Sequence, residues 1–398
     1  MTTQQKNDVL ETLADLLQQN RTDLLTANLH DLEAYQGDNQ ALYDRLHIND
    51  KKIDGMIESI QSVATKPDPV NVKRYSYNHP NGMRVVNQTT PFGTIFIIYE
   101  SRPDVTIEAA ILAFKAGSKI ILKGGKEARQ SNLFLINLWH QALQLHHLPR
   151  DWVHFLDKSR TVTQAFLKNP PQPIDLIVPR GGERLIEFVK THAKCPVLVS
   201  GRGNNFMFVH KTADTNMANK LIVSSKISKI SACNALDKVL IDENLPDLAN
   251  NLKTLVHTLK KVKVEVIVDK EINQYLNPPL PEIAEEAMWY EEFLAMKIVI
   301  GLVKDTPTAI QKINQYSGGH SASIITENEK TANQFMQNVD VAAVYHNASI
   351  RFTDGSEFGM GAELAISTDK LHHRGPLGLA HLVSNKWLVY GNGQTRQS

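Results

Sequence analysis

The sequence predicts an α/β protein with two α/β domains on parallel sheets and an exposed antiparallel hairpin. Three observations carry this. Short apolar strands alternate with amphipathic helices across residues 92–209 and again across roughly 221–366, the pattern of right-handed βαβ crossovers. A chain of 398 residues exceeds what one ordinary core holds. Between Lys66 and Pro91 the text turns to prolines, the turn His79-Pro80-Asn81-Gly82-Met83 and alternating flanks.

Residues 4–65 repeat leucines, isoleucines and methionines at helical spacing in a polar background, which predicts an N-terminal helical layer. The first α/β run predicts strands at Thr94–Tyr99, Lys119–Leu122 and Ile174–Val178. Helices are expected at Val105–Ala116, Lys126–Leu143 and Glu183–His192. The second run predicts strands at Val239–Ile241, Val264–Val268, Ser323–Ile325 and Ala342–Tyr345. A last strand, Lys386–Val389, stands outside both runs and needs a neighbour for its backbone groups; the hairpin near residues 75–90, of the same or another subunit, is the expected one.

Composition narrows the partner. The 42% hydrophobic and 21% charged residues are ordinary for a globular chain, and 43 basic against 42 acidic residues leave a net charge of +1. No global field draws in nucleic acid or an anionic membrane, so a small molecule is the expected ligand. The N-terminus lacks an apolar signal core and no apolar run is long enough to span a bilayer, so a cytoplasmic protein is expected. With only Cys195 and Cys233, neither a disulfide framework nor a multi-cysteine metal site is expected, and the histidines show no paired-ligand spacing.

Three glycine turns, 123–126, 179–183 and 201–204, follow predicted strands. Such turns let a backbone approach a phosphate at a helix start, although glycine is also common in plain turns. Neither a G-x-G-x-x-G nor a P-loop is present. Cys233 lies among small residues in S-K-I-S-K-I-S-A-C-N-A, with Lys226 and Lys229 preceding it. Nearby positive charge suits a nucleophilic thiolate, while an inert core thiol fits the same text. Cys195, in K-C-P-V-L-V, is read as packing. The polar run from Asn347 to Thr368 follows a strand and is read as a substrate loop.

The ordered motifs P-F-G-T-I-F-I-I-Y-E-S-R-P-D-V-T, I-L-K-G-G-K-E-A, D-L-I-V-P-R-G-G, S-A-C-N-A, N-A-S-I-R-F-T-D-G-S-E-F-G-M-G-A-E and H-H-R-G-P-L-G-L resemble the gamma-glutamyl phosphate reductase family of the aldehyde dehydrogenase superfamily. The resemblance covers about residue 5 to the end. It implies an aldehyde dehydrogenase-like fold: an NADP-binding domain over 1–225 with the hairpin at about 70–91, a catalytic domain over 226–365, and a segment 366–398 returning to the cofactor domain and ending in an oligomerisation strand. It implies reduction of L-glutamyl 5-phosphate by NADPH, a homo-oligomer, and association with glutamate 5-kinase.

By the same resemblance Cys233 is the nucleophile, Lys123 holds the adenosine ribose, Glu292 the nicotinamide ribose, and Gly181 and Gly182 approach the pyrophosphate. Lys123, Lys126 and Arg129 would favour a 2′-phosphate, hence NADP over NAD. The substrate carboxylate and ammonium call for a bidentate arginine and an acidic partner. Arg351 and Asp354 fit these roles, with Arg102 in reserve, and a structural ion pair is their competing reading. The Cys233 amide is the first candidate oxyanion donor.

The chain departs from the family pattern at Val199, where an acidic residue is expected, and at Arg202, Ile227, Lys229 and Tyr290. These departures leave open a weakly active or inactive paralogue, and a broader aldehyde dehydrogenase.

Overall fold

The computed structural model describes residues 1–38 and 40–396. The chain forms two compact units, one of residues 1–199, 359–365 and 377–398, the other of 200–358 and 366–376.

The first unit opens with four helices: α1 (Thr3–Gln19), α2 (Arg21–Ala34), α3 (Gln40–Leu46) and α4 (Asp50–Thr65). A capping box starts α1, with Thr2 and Gln5 bonding each other's backbone amides. Val9, Leu13 and Leu17 of α1 and Ile53 and Ile60 of α4 carry the buried stripes. Burying such a side chain stabilises by about 1.5–3 kcal/mol each, which fastens this layer to the sheet helices.

Strands β1 (Lys73–Asn78) and β2 (Arg84–Pro91) form the expected hairpin, closed by a 2.7 Å bond from the His79 amide to the Met83 carbonyl. Gly82 at the turn takes φ +91°, which favours glycine. The C-terminal strand Val383–Tyr390 pairs antiparallel with β2 of the same chain, Val389 opposite Val85. Its neighbour is therefore in cis.

Next come β3 (Thr94–Tyr99), α5 (Pro103–Lys115), β4 (Lys119–Lys123), α6 (Arg129–Leu145), β5 (Val153–Phe155), α7 (Arg160–Lys168), β6 (Leu176–Arg180) and α8 (Glu183–His192). The strands form a parallel sheet in the order β5-β4-β3-β6. Strand order reverses at β3, so the loops after β3, β4 and β6 converge at a switch point.

The second unit comprises β7 (Asn205–Val209), α9 (Thr215–Ile227), β8 (Leu236–Asp242), α10 (Leu248–Lys261), β9 (Glu265–Val268), β10 (Lys297–Val303), α11 (Thr306–Tyr316), β11 (Ser321–Ile325), α12 (Glu329–Asn338) and β12 (Ala343–His346). They make a parallel six-stranded sheet, order β12-β11-β7-β8-β10-β9. A two-stranded ribbon of β13 (Ile366–Ser367) and β14 (Gly375–Pro376) completes the unit.

The unit boundary falls between Val199 and Ser200, where the sequence placed it at 225. The reason is β7, which reads as a continuation of the first α/β run but hydrogen-bonds between β11 and β8 of the second sheet. The C-terminal segment is likewise divided, with 366–376 in the second unit and 377–398 in the first. The run Asn347–Thr368 is no single loop, because 359–365 packs in the first unit.

Candidate active site

Cys233 occupies a turn between α9 and β8, at the amino-terminal edge of the six-stranded sheet. The turn is closed by the Ala235 amide bonding the Ala232 carbonyl at 2.9 Å. Because the sheet is parallel, the segments entering β7, β10 and β11 reach the same edge. Asn205, fully buried at the start of β7, places its Nδ2 2.7 Å from the Cys233 carbonyl and 2.8 Å from that of Ala235, while its Oδ1 accepts from the Ser321 amide at 3.0 Å. One side chain thereby joins three strand entries and fixes the cysteine turn.

Gly203 shows how tightly the backbone closes on this turn. A Cβ there would lie 2.0 Å from the Cys233 carbonyl oxygen and 2.6 Å from Glu292 Oε1. No side chain fits, and the carboxylate of Glu292 and the cysteine turn both converge on that glycine. The 201–204 turn is therefore a packing element of the second unit that precedes β7, and not the phosphate turn its glycines suggested.

Asn234 ties the turn to the loop that carries the expected substrate residues. Its Nδ2 donates to the Arg351 carbonyl at 3.1 Å and the Thr353 carbonyl at 3.0 Å. Arg351 Nε donates to Ser228 Oγ at 2.9 Å, whereas its Nη1 is buried with no hydrogen-bond partner among the described residues. Burial pushes the guanidinium pKa down, and the charges of Cys233 and Asp354 oppose that shift. Asp354 accepts from the Ser356 amide at 2.9 Å. The charge of Asp354 thus acts on the Arg351 guanidinium.

Lys226 has a different place from the one its sequence spacing suggested. It is fully buried and pairs with Asp237 at 2.8 Å. Its charge is matched there, whereas the charge of Arg351 couples to that of Cys233.

The first unit carries the expected cofactor residues at its switch point. Lys123 ends β4, half-buried, with Nζ donating to the Gly124 carbonyl at 2.8 Å; burial lowers its pKa, opposed by Asp157 and Glu127. Gly181 and Gly182 lead into α8, and the Gly182 amide donates to Glu100 Oε1 at 2.7 Å. A carboxylate thus already sits where the helix start offers N–H groups to an anion, so the turn fits a phosphate. Arg102, at the start of α5, is paired with Asp104 at 2.8 Å. Both residues are partly exposed and lie in the first unit, whereas Cys233 lies in the second. Arg129 is paired with Asp157, its Nε donating at 3.0 Å and its Nη2 at 2.5 Å, and Glu127 shares the turn with Lys126.

Cys195 packs beside Phe96, Ile177 and Val189, and burial pushes its thiol pKa up. Among the described residues no group of three or more His, Cys, Asp or Glu could hold a metal ion, and no helix is long and apolar enough to cross a membrane. Asn205, Asn234 and Ser228 were not picked out from sequence. Only Asn234 had a signal, its place directly after the cysteine.

Each of the two units is built on a parallel sheet flanked by helices, one carrying the cysteine turn and the other the glycine turns. The chain belongs to the aldehyde dehydrogenase family, whose model matches residues 1–274 and 284–362. Relatives similar to it over essentially the whole chain include gamma-glutamyl phosphate reductases. That of Enterococcus faecalis is 42% identical over 398 residues, covering 100% of this chain and 94% of the relative. The crystal structure of the Thermotoga maritima gamma-glutamyl phosphate reductase superposes with a TM-score of 0.93 at 39% identity, covering 100% and 95% of the two chains. The fold is shared more widely: Methanocaldococcus jannaschii glyceraldehyde-3-phosphate dehydrogenase, complexed with NADP, gives a TM-score of 0.71 at 14% identity, covering 98% and 90%.

Proposed function

We propose that the protein is a glutamate-5-semialdehyde dehydrogenase that reduces L-glutamyl 5-phosphate to L-glutamate 5-semialdehyde and phosphate, the second step of proline synthesis from glutamate, with NADPH as reductant. Full-length similarity to gamma-glutamyl phosphate reductases supports the reaction. The observation that carries the site is Arg351, whose buried Nη1 has no hydrogen-bond partner among the described residues while its charge couples to Cys233. An unmatched guanidinium held beside a thiol is suited to a substrate that brings a carboxylate of its own.

In this reading the Cys233 thiolate attacks the acyl carbonyl, the C–O bond to phosphate breaks, and a glutamyl thioester forms. NADPH, when bound, would supply the hydride for the thioester carbon; the resulting tetrahedral oxyanion collapses as the C–S bond breaks, so the electron pair returns to the Cys233 thiolate and the aldehyde leaves. Fixed donors must meet the oxyanion of each tetrahedral stage, and the Cys233 amide, held in its turn by Asn205, is the first of them. Arg351 orients the substrate carboxylate and Asp354 its ammonium group. Lys123 and the Gly181-Gly182 turn hold the adenosine and pyrophosphate portions, and Glu292 the nicotinamide ribose.

A cytoplasmic homo-oligomer, able to take its labile substrate from glutamate 5-kinase, completes the reading. The three-stranded sheet supports association, because β1 is exposed along its length and Tyr75 and Trp387 stack edge to face on it at 6.0 Å, 52% and 59% exposed. Incubation with glutamyl phosphate generated in place by the kinase, without NADPH, tests the chemistry. Mass spectrometry is expected to find a glutamyl adduct on Cys233 that NADPH discharges; an adduct elsewhere, or none, contradicts the mechanism.

A further inference from the structure

Glu292 is flanked by residues that are both tethered to β8. Lys238, fully buried, donates from Nζ to the Glu291 carbonyl at 2.7 Å and lies 3.6 Å from the centroid of the Phe293 ring. Its neighbour Asp237 accepts the Phe293 amide at 2.9 Å on one oxygen and the Lys226 ammonium at 2.8 Å on the other. Consecutive residues of one strand therefore hold the backbone on either side of Glu292. The same strand begins directly after the cysteine turn, so the tether sets Glu292 relative to Cys233 through a single rigid element.

A fully buried lysine is costly to keep, because its ammonium must be taken out of water. A leucine or methionine would fill the space without that cost. The lysine here makes no salt bridge among the described residues and donates its hydrogen bond to the loop carbonyl. We propose that Lys238 is a positioning residue that holds Glu292 for the cofactor's nicotinamide ribose by pinning the Glu291–Phe293 segment to β8. This rests on the reading of Glu292 as a cofactor ligand.

The hold is pH-dependent. Burial lowers the Lys238 pKa to about 7; Asp237 on the same strand and Glu291 on the loop oppose the shift, and Lys226 on α9 and Lys297 on β10 reinforce it. Lys297 also lies over the Phe293 ring, at 4.7 Å. Below neutrality the Lys238 ammonium makes a charge-assisted bond to the carbonyl and a cation–π contact with the ring; above it, the neutral amine keeps only an ordinary hydrogen bond.

The test is the dissociation constant of NADPH for the full-length protein, read by fluorescence at several pH values, for the natural chain, K238M, K238Q and E292Q. K238M is expected to weaken NADPH about tenfold below neutrality, roughly the worth of one good hydrogen bond. The ratio of its constant to that of the natural chain should shrink as pH rises through 7, while Cys233 alkylation by iodoacetamide stays unchanged. K238Q, which retains a donor, is expected to recover part of the affinity and lose the pH dependence; it also serves if K238M does not fold. If K238M and K238Q bind NADPH like the natural chain while E292Q does not, the positioning role is wrong. If E292Q also binds normally, the assignment of Glu292 falls and the inference falls with it.

Discussion

Asn234, the residue after Cys233, holds Arg351 by its backbone: Nδ2 donates to the Arg351 carbonyl at 3.1 Å and to that of the buried Thr353 at 3.0 Å. The thiol turn and the 351–353 segment are therefore one mechanical piece. Asn234→Ala leaves buried carbonyls without their donor, a loss of about 1–3 kcal/mol in folding stability. Activity should fall further than stability suggests, because a small misplacement of an orienting arginine can cost about 10²-fold. Denaturant unfolding and kcat/KM measured on one preparation check both parts.

The two thiols should behave oppositely. Cys233→Ala is expected to abolish turnover while preserving the melting temperature and NADPH binding. Cys195, packed in an apolar cluster and with its pKa pushed up by burial and by Asp175, should resist alkylation at neutral pH. Cys195→Ala then costs packing only, about 1 kcal/mol. Peptide mapping after brief iodoacetamide treatment, with activity followed in parallel, gives the order of modification.

Glu100 stands in the way of a phosphate. Its Oε1 accepts the Gly182 amide at 2.7 Å, and Oε2 lies 3.7 Å from Arg45. A pyrophosphate taking the start of α8 must displace this carboxylate and its charge. Glu100→Gln is therefore expected to tighten NADPH by up to about tenfold, more at low salt than at high. Weaker binding of this variant in a titration would show that Glu100 shapes the turn instead of occupying it.

The buried lysine also has a signature in stability. Lys238 has its pKa lowered from 10.5 to about 7, so between those values the unfolded chain binds a proton that the folded protein does not. Stability then rises as pH climbs through that window, by at most about 1.4 kcal/mol per pH unit from this group. Lys238→Met removes the term, so its melting temperature should exceed that of the natural chain near neutrality and the difference should narrow toward pH 10. Thermal scans at pH 7, 8.5 and 10 measure it.

Most of the fold was legible in the sequence. Thr94–Tyr99 and Glu183–His192 form the elements expected over those same residues, since their periodicity and flanking turns agree. The strand Lys297–Val303 was missed because the preceding segment has no regular spacing, and β5 because three residues give no pattern. The boundary was misplaced because β7 carries only local information, and its sheet is chosen by long-range pairing. The site shows the same limit. Cys233, Arg351 and Asp354 stood in ordered motifs, whereas Asn205 and Ser228 act by hydrogen bonds to residues distant in the chain. Lys226 misled because sequence proximity to Cys233 conceals its burial against Asp237.

Val199 bears on the central claim. It stands where the family pattern led us to expect an acidic residue, and valine cannot activate water against a thioester, a contribution of typically about 10²–10⁴-fold. Inorganic phosphate needs no such base, being already an anion. The most direct measurement is therefore the reverse reaction: NADP reduction by glutamate semialdehyde, with and without phosphate or arsenate, and with free glutamate quantified. The account predicts that turnover depends on the added anion, that almost no glutamate forms without it, and that Val199→Glu raises the anion-independent rate. Rapid anion-independent oxidation by the natural chain would contradict it in favour of a general aldehyde dehydrogenase, and no reaction under either condition would contradict it in favour of an inactive paralogue.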